Sequence, residues 1–483
     1  MQSKPILFAG CLLSAFFALA ACGDDDDSLK ASAIEDASSG VVGGERDSGD
    51  DGDSAVAPDG AKVQSNKPEP VPALECDSVV ADQDCDRTLR PIVFVHGTFG
   101  SATEISNTAA LFGSNGYCQE RFVAVEYNSL GGSPEAQLEA LVDEVLAATG
   151  FEQVDLAAHS QGTRHACTYL SDPARKAKVA HYLNISGGCD GAGVPTLSLS
   201  STNDSGGMAR HSSGDHVEQV TLEQEDHVAL SGSKAAFSAM YEYLIGEPPA
   251  HTRVLCGQDP VVLDGKSVTF GDNEPVANST IEVFAIDELD APRERGEPDM
   301  IVPTDAAGHF RVELARGVRY EFRIIAADGT LLGYGYQAPF KRSNYLARFL
   351  SSSMNPLVAS ASVDRVTRGP GYSGLIGRYV AGAFRKDWGN SLKIDGVEVL
   401  SDQNAPRSAS VVGLFMFDAN GNAQSDFGAA FSGSFLMGTD VFIDAGAPRW
   451  IDLAWTNEEG NSTRLAIPNW PSSENLVSVN LPY

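Results

Sequence analysis

"DLAAHSQGTRHA", residues 155–166, is the stretch on which the reading of this chain turns. Its serine, Ser160, is either a nucleophile or an ordinary residue in a turn between a strand and a helix. Small-x-Ser-x-Gly is a weak pattern alone, so the flanks decide. Val154 to Ala158 is a short apolar run that reads as a buried strand, and the residues after Ser160 read as a helix. A sharp strand-to-helix turn holds the serine in a strained conformation and admits only small residues two positions to either side. Ala158 and Gly162 meet that demand. The start of the helix also favours negative charge developing beside Ser160.

Working outward, short apolar runs alternate with helical stretches from Leu89 to Gly246, the pattern of a parallel sheet covered on both faces. The expected strands are 91–95, 122–127, 154–158, 180–185, 196–200 and 217–222. Pro134 opens a helix with Leu138, Leu141, Val142, Val145 and Leu146 at helical spacing, and Gly150 stops it. A long amphipathic helix over 229–245 closes the domain. His96-Gly97-Thr98-Phe99-Gly100 follows the first strand, where an acyl-transfer enzyme places a loop that donates an amide to the oxyanion. The main-chain amides of Thr98 and Gln161 are therefore the expected oxyanion donors. The acid and base are expected in the order Ser, Asp, His. Asp204 ends the fifth strand and His227 follows the sixth. Asp204 is the first candidate for the acid, Asp190 the second, and Asp226 a weaker third. His227 is the base; His159 and His165 lie too close in sequence to Ser160. His96 is expected to make a structural hydrogen bond, and His181, His211, His216 and His251 lie off the strand ends.

This assembly resembles the lipases and esterases of the α/β-hydrolase superfamily that carry an HG oxyanion loop and an AHSxG elbow. Closer still is the likeness to a two-domain archaeal lipase, a compact hydrolase followed by a C-terminal β-barrel. "KAKVAHYLNISGG", "GVPTLSLSSTND" and "YEFRIIAADGTLLGYGYQAPFKRSNYLARFL" carry that likeness over most of residues 89–400. The resemblance implies a serine hydrolase acting on ester or lipid substrates. It also implies a triad acid after the fourth strand, where this chain has Ser186-Gly187-Gly188 instead. A large lid is implied between the second strand and the Pro134 helix, where only "NSLGGS" stands, so lid-driven interfacial activation is not expected.

At the other end of the scale, 483 residues are too many for one ordinary domain. Lys4 and the apolar run Ile6–Leu19 form a signal peptide too short to span a bilayer. It ends in Leu19-Ala20-Ala21-Cys22, which resembles a bacterial lipobox, so Cys22 is the expected lipidation site. Gly23 after it favours export to an outer membrane or cell surface. Residues 23–72 hold thirteen acidic and four basic side chains, net −9, and too little apolar surface to fold; they read as an acidic linker. The domain plan is thus signal 1–22, linker 23–72, catalytic domain 73–250 and a β region 251–483 with a division near 355. From Val254 onward, alternating strands between Gly, Asn and Asp turns predict an antiparallel β region.

The chain carries net charge −31 without a basic patch, which excludes nucleic acid as a partner. Six cysteines remain after Cys11 and Cys22: Cys76, Cys85, Cys118, Cys167, Cys189 and Cys256. In an exported chain they predict disulfides with fifteen possible pairings, and Cys76 with Cys85 is the first expectation because the two are near in sequence. No metal or other cofactor is expected. Within enzymes, a polyester depolymerase or an acyltransferase would use the same triad. A catalytically inactive surface-binding lipoprotein is the alternative of another class.

Overall fold

Short apolar runs, each too short to be a helix, can hide all their residues only as central strands of a sheet covered on both faces. The computed structural model, which describes residues 74–204, 212–286, 292–351, 355–379, 381–433 and 435–482, has this arrangement. The expected signal peptide with Cys22, the expected linker and His211 lie outside the described residues. The strands are β1 (Ile92–Val95), β2 (Phe122–Val125), β3 (Val154–His159), β4 (Val179–Ile185), β5 (Thr196–Ser201) and β6 (Val217–Leu222). They pair in parallel in the order β2-β1-β3-β4-β5-β6. Every residue of β1, β3 and β5 is buried.

The helices of this part are α1 (Ser106–Ser114), α2 (Glu135–Thr149), α3 (Gln161–Leu170), α4 (Pro173–Lys176), α5 (Ala229–Gly232) and α6 (Lys234–Ile245). Alternation along β1 divides the core in two. Ile92 and Phe94 pack with Phe112 of α1 and Phe237 of α6, whereas Val93 and Val95 pack with Leu138 and Val142 of α2 and Tyr169 of α3. Each such fully buried large side chain contributes about 1.5–3 kcal/mol through the area it removes from water. Gly150 ends α2 at φ 75°, the left-handed stop expected of it. The long closing helix is broken: Ser233 separates α5 from α6 and its hydroxyl caps α6 by accepting from Ala236 N at 3.1 Å.

Beyond Val261 the chain, over its described residues, is all β apart from short helical segments. It opens with β7 (Val261–Thr269), β8 (Thr280–Ala285), β9 (Met300–Pro303), β10 (His309–Leu314), β11 (Tyr320–Ile325), β12 (Leu331–Gln337) and β13 (Asn344–Ser351). The pairing is mixed rather than antiparallel. Beside the antiparallel β11–β12 and β7–β10 pairs, β13 runs parallel to β7. Likewise β12 and Leu375–Tyr379 both run parallel to Val477–Leu481. Hairpins are read locally, but these parallel pairs join segments far apart in the chain. A nine-stranded sheet results that draws strands from both sides of residue 355. All described residues fall in one compact unit.

Among the described residues three disulfides form, and the Cys76–Cys85 pair is not one of them. Cys76 joins Cys256, Cys85 joins Cys118 and Cys167 joins Cys189. The backbone explains the difference. Val80 N donates to Cys256 O at 2.9 Å, which lays the N-terminal segment along the start of the β region. Asp86 N donates to Gly116 O at 2.7 Å, which brings Cys85 to the loop after α1. Bridges to two different partners pull neighbouring cysteines apart.

Candidate active site

The end of β3 delivers Ser160 in a backbone conformation that side chains seldom adopt, φ 53° and ψ −122°, directly before α3. Such strain survives only where the surroundings over-determine it. Here they do: Ser160 N donates to Ile185 O at 3.0 Å and Ser160 O accepts from Thr163 N at 3.0 Å. Gly162 explains why a small residue is needed two places on, because a Cβ there would meet Val95 O at 2.3 Å. The HGTFG loop lies against the same serine. A Cβ on Gly97 would sit 2.8 Å from Ser160 Cβ, so only glycine lets the loop approach so closely.

The loop itself is a turn closed by Gly100 N donating to Gly97 O at 3.1 Å, with Phe99 held at φ 56°. Side chains tie it to the elbow. Thr98 Oγ1 donates to Gln161 Oε1 at 2.8 Å, Gln161 Nε2 donates to Ser129 O at 3.2 Å, and Ser129 Oγ accepts from Phe99 N at 2.8 Å. The two residues singled out for their main-chain amides, Thr98 and Gln161, are thus cross-linked by their own side chains. His96 is structural, as expected: it is fully buried and its Nδ1 lies 2.9 Å from Gly97 O. Burial holds its pKa below the ordinary 6.5. Gly97 O can only accept, so Nδ1 donates to it, and Nε2 is the acceptor for Tyr127 N at 3.5 Å.

At the C-terminal ends of the next strands, His227 Nδ1 lies 2.9 Å from Asp204 Oδ2, both groups buried. Ser186, on the turn after β4 at φ 49°, donates its hydroxyl to the same Asp204 oxygen and sits 3.1 Å from His227 Nδ1. Sequence reasoning marked this position only as the vacated place of a triad acid; the serine there now bridges the Asp204–His227 pair. The other two acid candidates are engaged elsewhere. Asp190 is exposed and accepts from Ala192 N at 2.9 Å. Asp226 accepts from Val228 N and Ala229 N at 2.7 and 3.0 Å and from Ala383 N at 2.9 Å.

Ser160 and His227 are not joined by a hydrogen bond among the described residues. In ligand-free hydrolases that bond is often long and tightens only around substrate. His159, the residue before Ser160, makes the contact with His227. Its Nε2 meets His227 O at 2.8 Å, its ring centroid lies 4.7 Å from that of His227, and its Nδ1 is 3.2 Å from Glu104 Oε2. Burial alone would lower His159 and raise Glu104. Their shared hydrogen bond and opposite charges overcome it, holding His159 above and Glu104 below the ordinary value. A half-buried Glu104–His159 pair beside the candidate base is not readable from the sequence, since 55 residues separate its members.

The β region reaches this face as well. Phe435 lies 6.2 Å from the Phe99 ring, and Arg407 Nη2 donates to Asn203 Oδ1 at 3.1 Å, one residue from Asp204. Two groups of side chains have metal-like spacing among the described residues, Cys85–Cys118–Glu120 and Cys167–Cys189–Asp190. In both, the thiols are already consumed by disulfides, which leaves no thiolate to bind an ion.

The chain matches known families in three blocks. Residues 89–170 match the model of class 2 lipases, residues 259–354 that of the lipase C-terminal domain, and residues 383–482 that of a further C-terminal domain. These matches support a lipase- or esterase-type α/β hydrolase followed by an all-β region, and the expected fold class is borne out. Among solved structures, Aspergillus fumigatus lipase B is 15% identical over 34% of this chain and 54% of its own, with a TM-score of 0.28. The chain thus spans about half of that relative's length. A Bacillus subtilis carboxylesterase is 13% identical over 34% of this chain and 86% of its own, at 0.25. A Bacillus licheniformis lipase in propeptide form is 12% identical over 81% of this chain and 95% of its own, at 0.27. No curated protein matches the chain.

Proposed function

We propose that this chain is a serine esterase or lipase that cleaves carboxylic esters through an acyl-enzyme on Ser160. The observation that carries the reading is the Asp204–His227 hydrogen bond of 2.9 Å beside a serine strained into an elbow at φ 53°. Ser160 Oγ attacks the ester carbonyl while His227 takes its proton at Nε2. The resulting imidazolium keeps its Nδ1–H on Asp204, whose charge stabilises it. The amides of Thr98 and Gln161 donate to the oxyanion, the alcohol leaves with the proton from His227, and water releases the acid by the same steps. Three disulfides fit an oxidising compartment. With the lipobox-like Cys22 they favour an exported enzyme held to the bacterial envelope by its N-terminal lipid.

The test is Ser160→Ala in the full chain, assayed on a chain-length series of nitrophenyl esters and on triglycerides. Loss of roughly 10⁴- to 10⁶-fold in turnover is expected. Activity within tenfold of the parent would overturn the serine mechanism. Acyl transfer to added alcohols in preference to water would instead identify an acyltransferase.

A further inference from the structure

We propose that Asn273, on the turn after β7, is a positioning residue of the oxyanion loop, so that the β region completes the catalytic geometry of the hydrolase. The proposal rests on the serine-hydrolase reading above. Its ground is a buried contact between two parts of the chain. Asn273 Nδ2 donates to Gly100 O at 2.9 Å and to Tyr127 O at 3.0 Å, and lies 3.3 Å from His96 Nε2. Gly100 closes the turn that presents Thr98, and His96 opens it. One N–H therefore holds the Gly100 end of the loop that carries the proposed oxyanion donor, and the other holds Tyr127, whose hydroxyl donates to His96 O at 2.8 Å at the loop's start.

The orientation of that amide is determined by its other side. Asn273 Oδ1 accepts from Arg348 Nη2 at 2.6 Å, so Nδ2 must face the carbonyls. Arg348, on β13, also lies 3.2 Å from Glu126 Oε1, and the same oxygen accepts from Ala102 N at 3.1 Å, just past the loop. Both N–H groups of Nδ2 are spent on the two carbonyls, and His96 Nε2 is the acceptor for Tyr127 N at 3.5 Å. The backbone of Asn273 sits at φ 59°, a conformation asparagine tolerates better than most residues. Asn273 and Arg348 of the β region thus meet Tyr127 and Glu126 of the α/β part beside the turn at Gly97–Gly100. Nothing in the packing of a hydrolase core requires a bidentate amide there. Holding an amide donor at fixed distance from Ser160 does.

The experiment uses the full chain with Asn273→Gly, which keeps the left-handed backbone, and Asn273→Asp, which keeps the shape but turns a donor into an acceptor. kcat and KM are measured on nitrophenyl butyrate. The inhibition constant of phenylboronic acid, whose tetrahedral adduct on Ser160 places an oxygen in the hole, is measured beside them. Removing an oxyanion donor outright costs about 10²- to 10³-fold in kcat. Loosening its support is expected to lower kcat by roughly 10- to 100-fold, leave KM within about twofold and weaken the boronate by the same factor as kcat. A fall in melting temperature with kcat and boronate affinity unchanged would make Asn273 a structural contact and overturn the proposal. So would failure of both variants to fold. Should Ser160→Ala retain activity in parallel, the serine-hydrolase reading has failed instead.

Discussion

Gly97→Ala isolates the closeness of the proposed oxyanion loop to the proposed nucleophile, and the structure supplies its magnitude. The added Cβ would lie 2.8 Å from Ser160 Cβ and 3.2 Å from His159 O, both on a rigid elbow rather than a flexible side chain. Ordinary contact begins near 3.4 Å, so the turn must retreat by about 0.6 Å from Ser160. A donor set at about 2.7–3.1 Å from the oxyanion would then stand at roughly 3.5 Å, where little hydrogen bonding remains. The loss should approach that of one donor, about 10²-fold in kcat or roughly 2.7 kcal/mol, with overpacking costing about 1–3 kcal/mol of stability. The assay is kcat and KM on nitrophenyl butyrate together with a thermal melt. Turnover within twofold of the parent in a folded variant would refute the argument, because it would mean that the loop does not hold the oxyanion at this distance. Gly162→Ala makes the contrast: its Cβ would meet backbone oxygens of Val95 and His96 at 2.3 and 2.6 Å, so folding itself should suffer first.

Two further predictions concern the groups around His227. Asp204→Asn should lower kcat by about 10³- to 10⁴-fold, and Ser186→Ala, which removes one donor from the Asp204 carboxylate, by roughly 10- to 100-fold; Asp190→Asn should be nearly silent, and kinetics ranking Asp190 above Asp204 would reassign the acid. Glu104→Gln should destabilise the fold most between pH 4.5 and 6.5, the ordinary values of the two groups. His159, raised in the fold, contributes fully below 6.5 and loses its contribution as pH rises through its raised value, while Glu104, lowered in the fold, contributes above 4.5 and loses it on acidification. Melts across pH check this, and a stability difference that grows steadily above pH 8 would contradict the pairing.

The parallel sheet was legible because burial on both faces is written locally, as in the run Ile92–Val95, and the elbow because Gly162 faces a carbonyl that no Cβ could clear. Asp204 and His227 could be ordered along the chain since strand ends of such a sheet point to one face. The disulfides, Ser186 and the Glu104–His159 pair could not be read, because each depends on which distant segments come to lie side by side. Asn273 is the sharpest case. In the turn Gly271–Glu274 an asparagine at φ 59° needs no explanation beyond the turn, and its partners Gly100 and Tyr127 lie 173 and 146 residues away.

That distance bears on how the role of the β region can be tested at all. Deleting residues from about 254 onward would remove Asn273, Arg348 and the Cys76–Cys256 bridge together with Phe435. Activity would then fall on short and long esters alike, for reasons of loop geometry as well as folding, and a loss on long chains would say nothing about acyl binding. Only the dependence on acyl length can separate the two. Phe435→Ala, which removes the ring 6.2 Å from Phe99 but leaves Asn273 and Arg348 in place, should cost more on longer acyl chains if Phe435 contacts them, whereas a misplaced oxyanion donor should slow every ester equally.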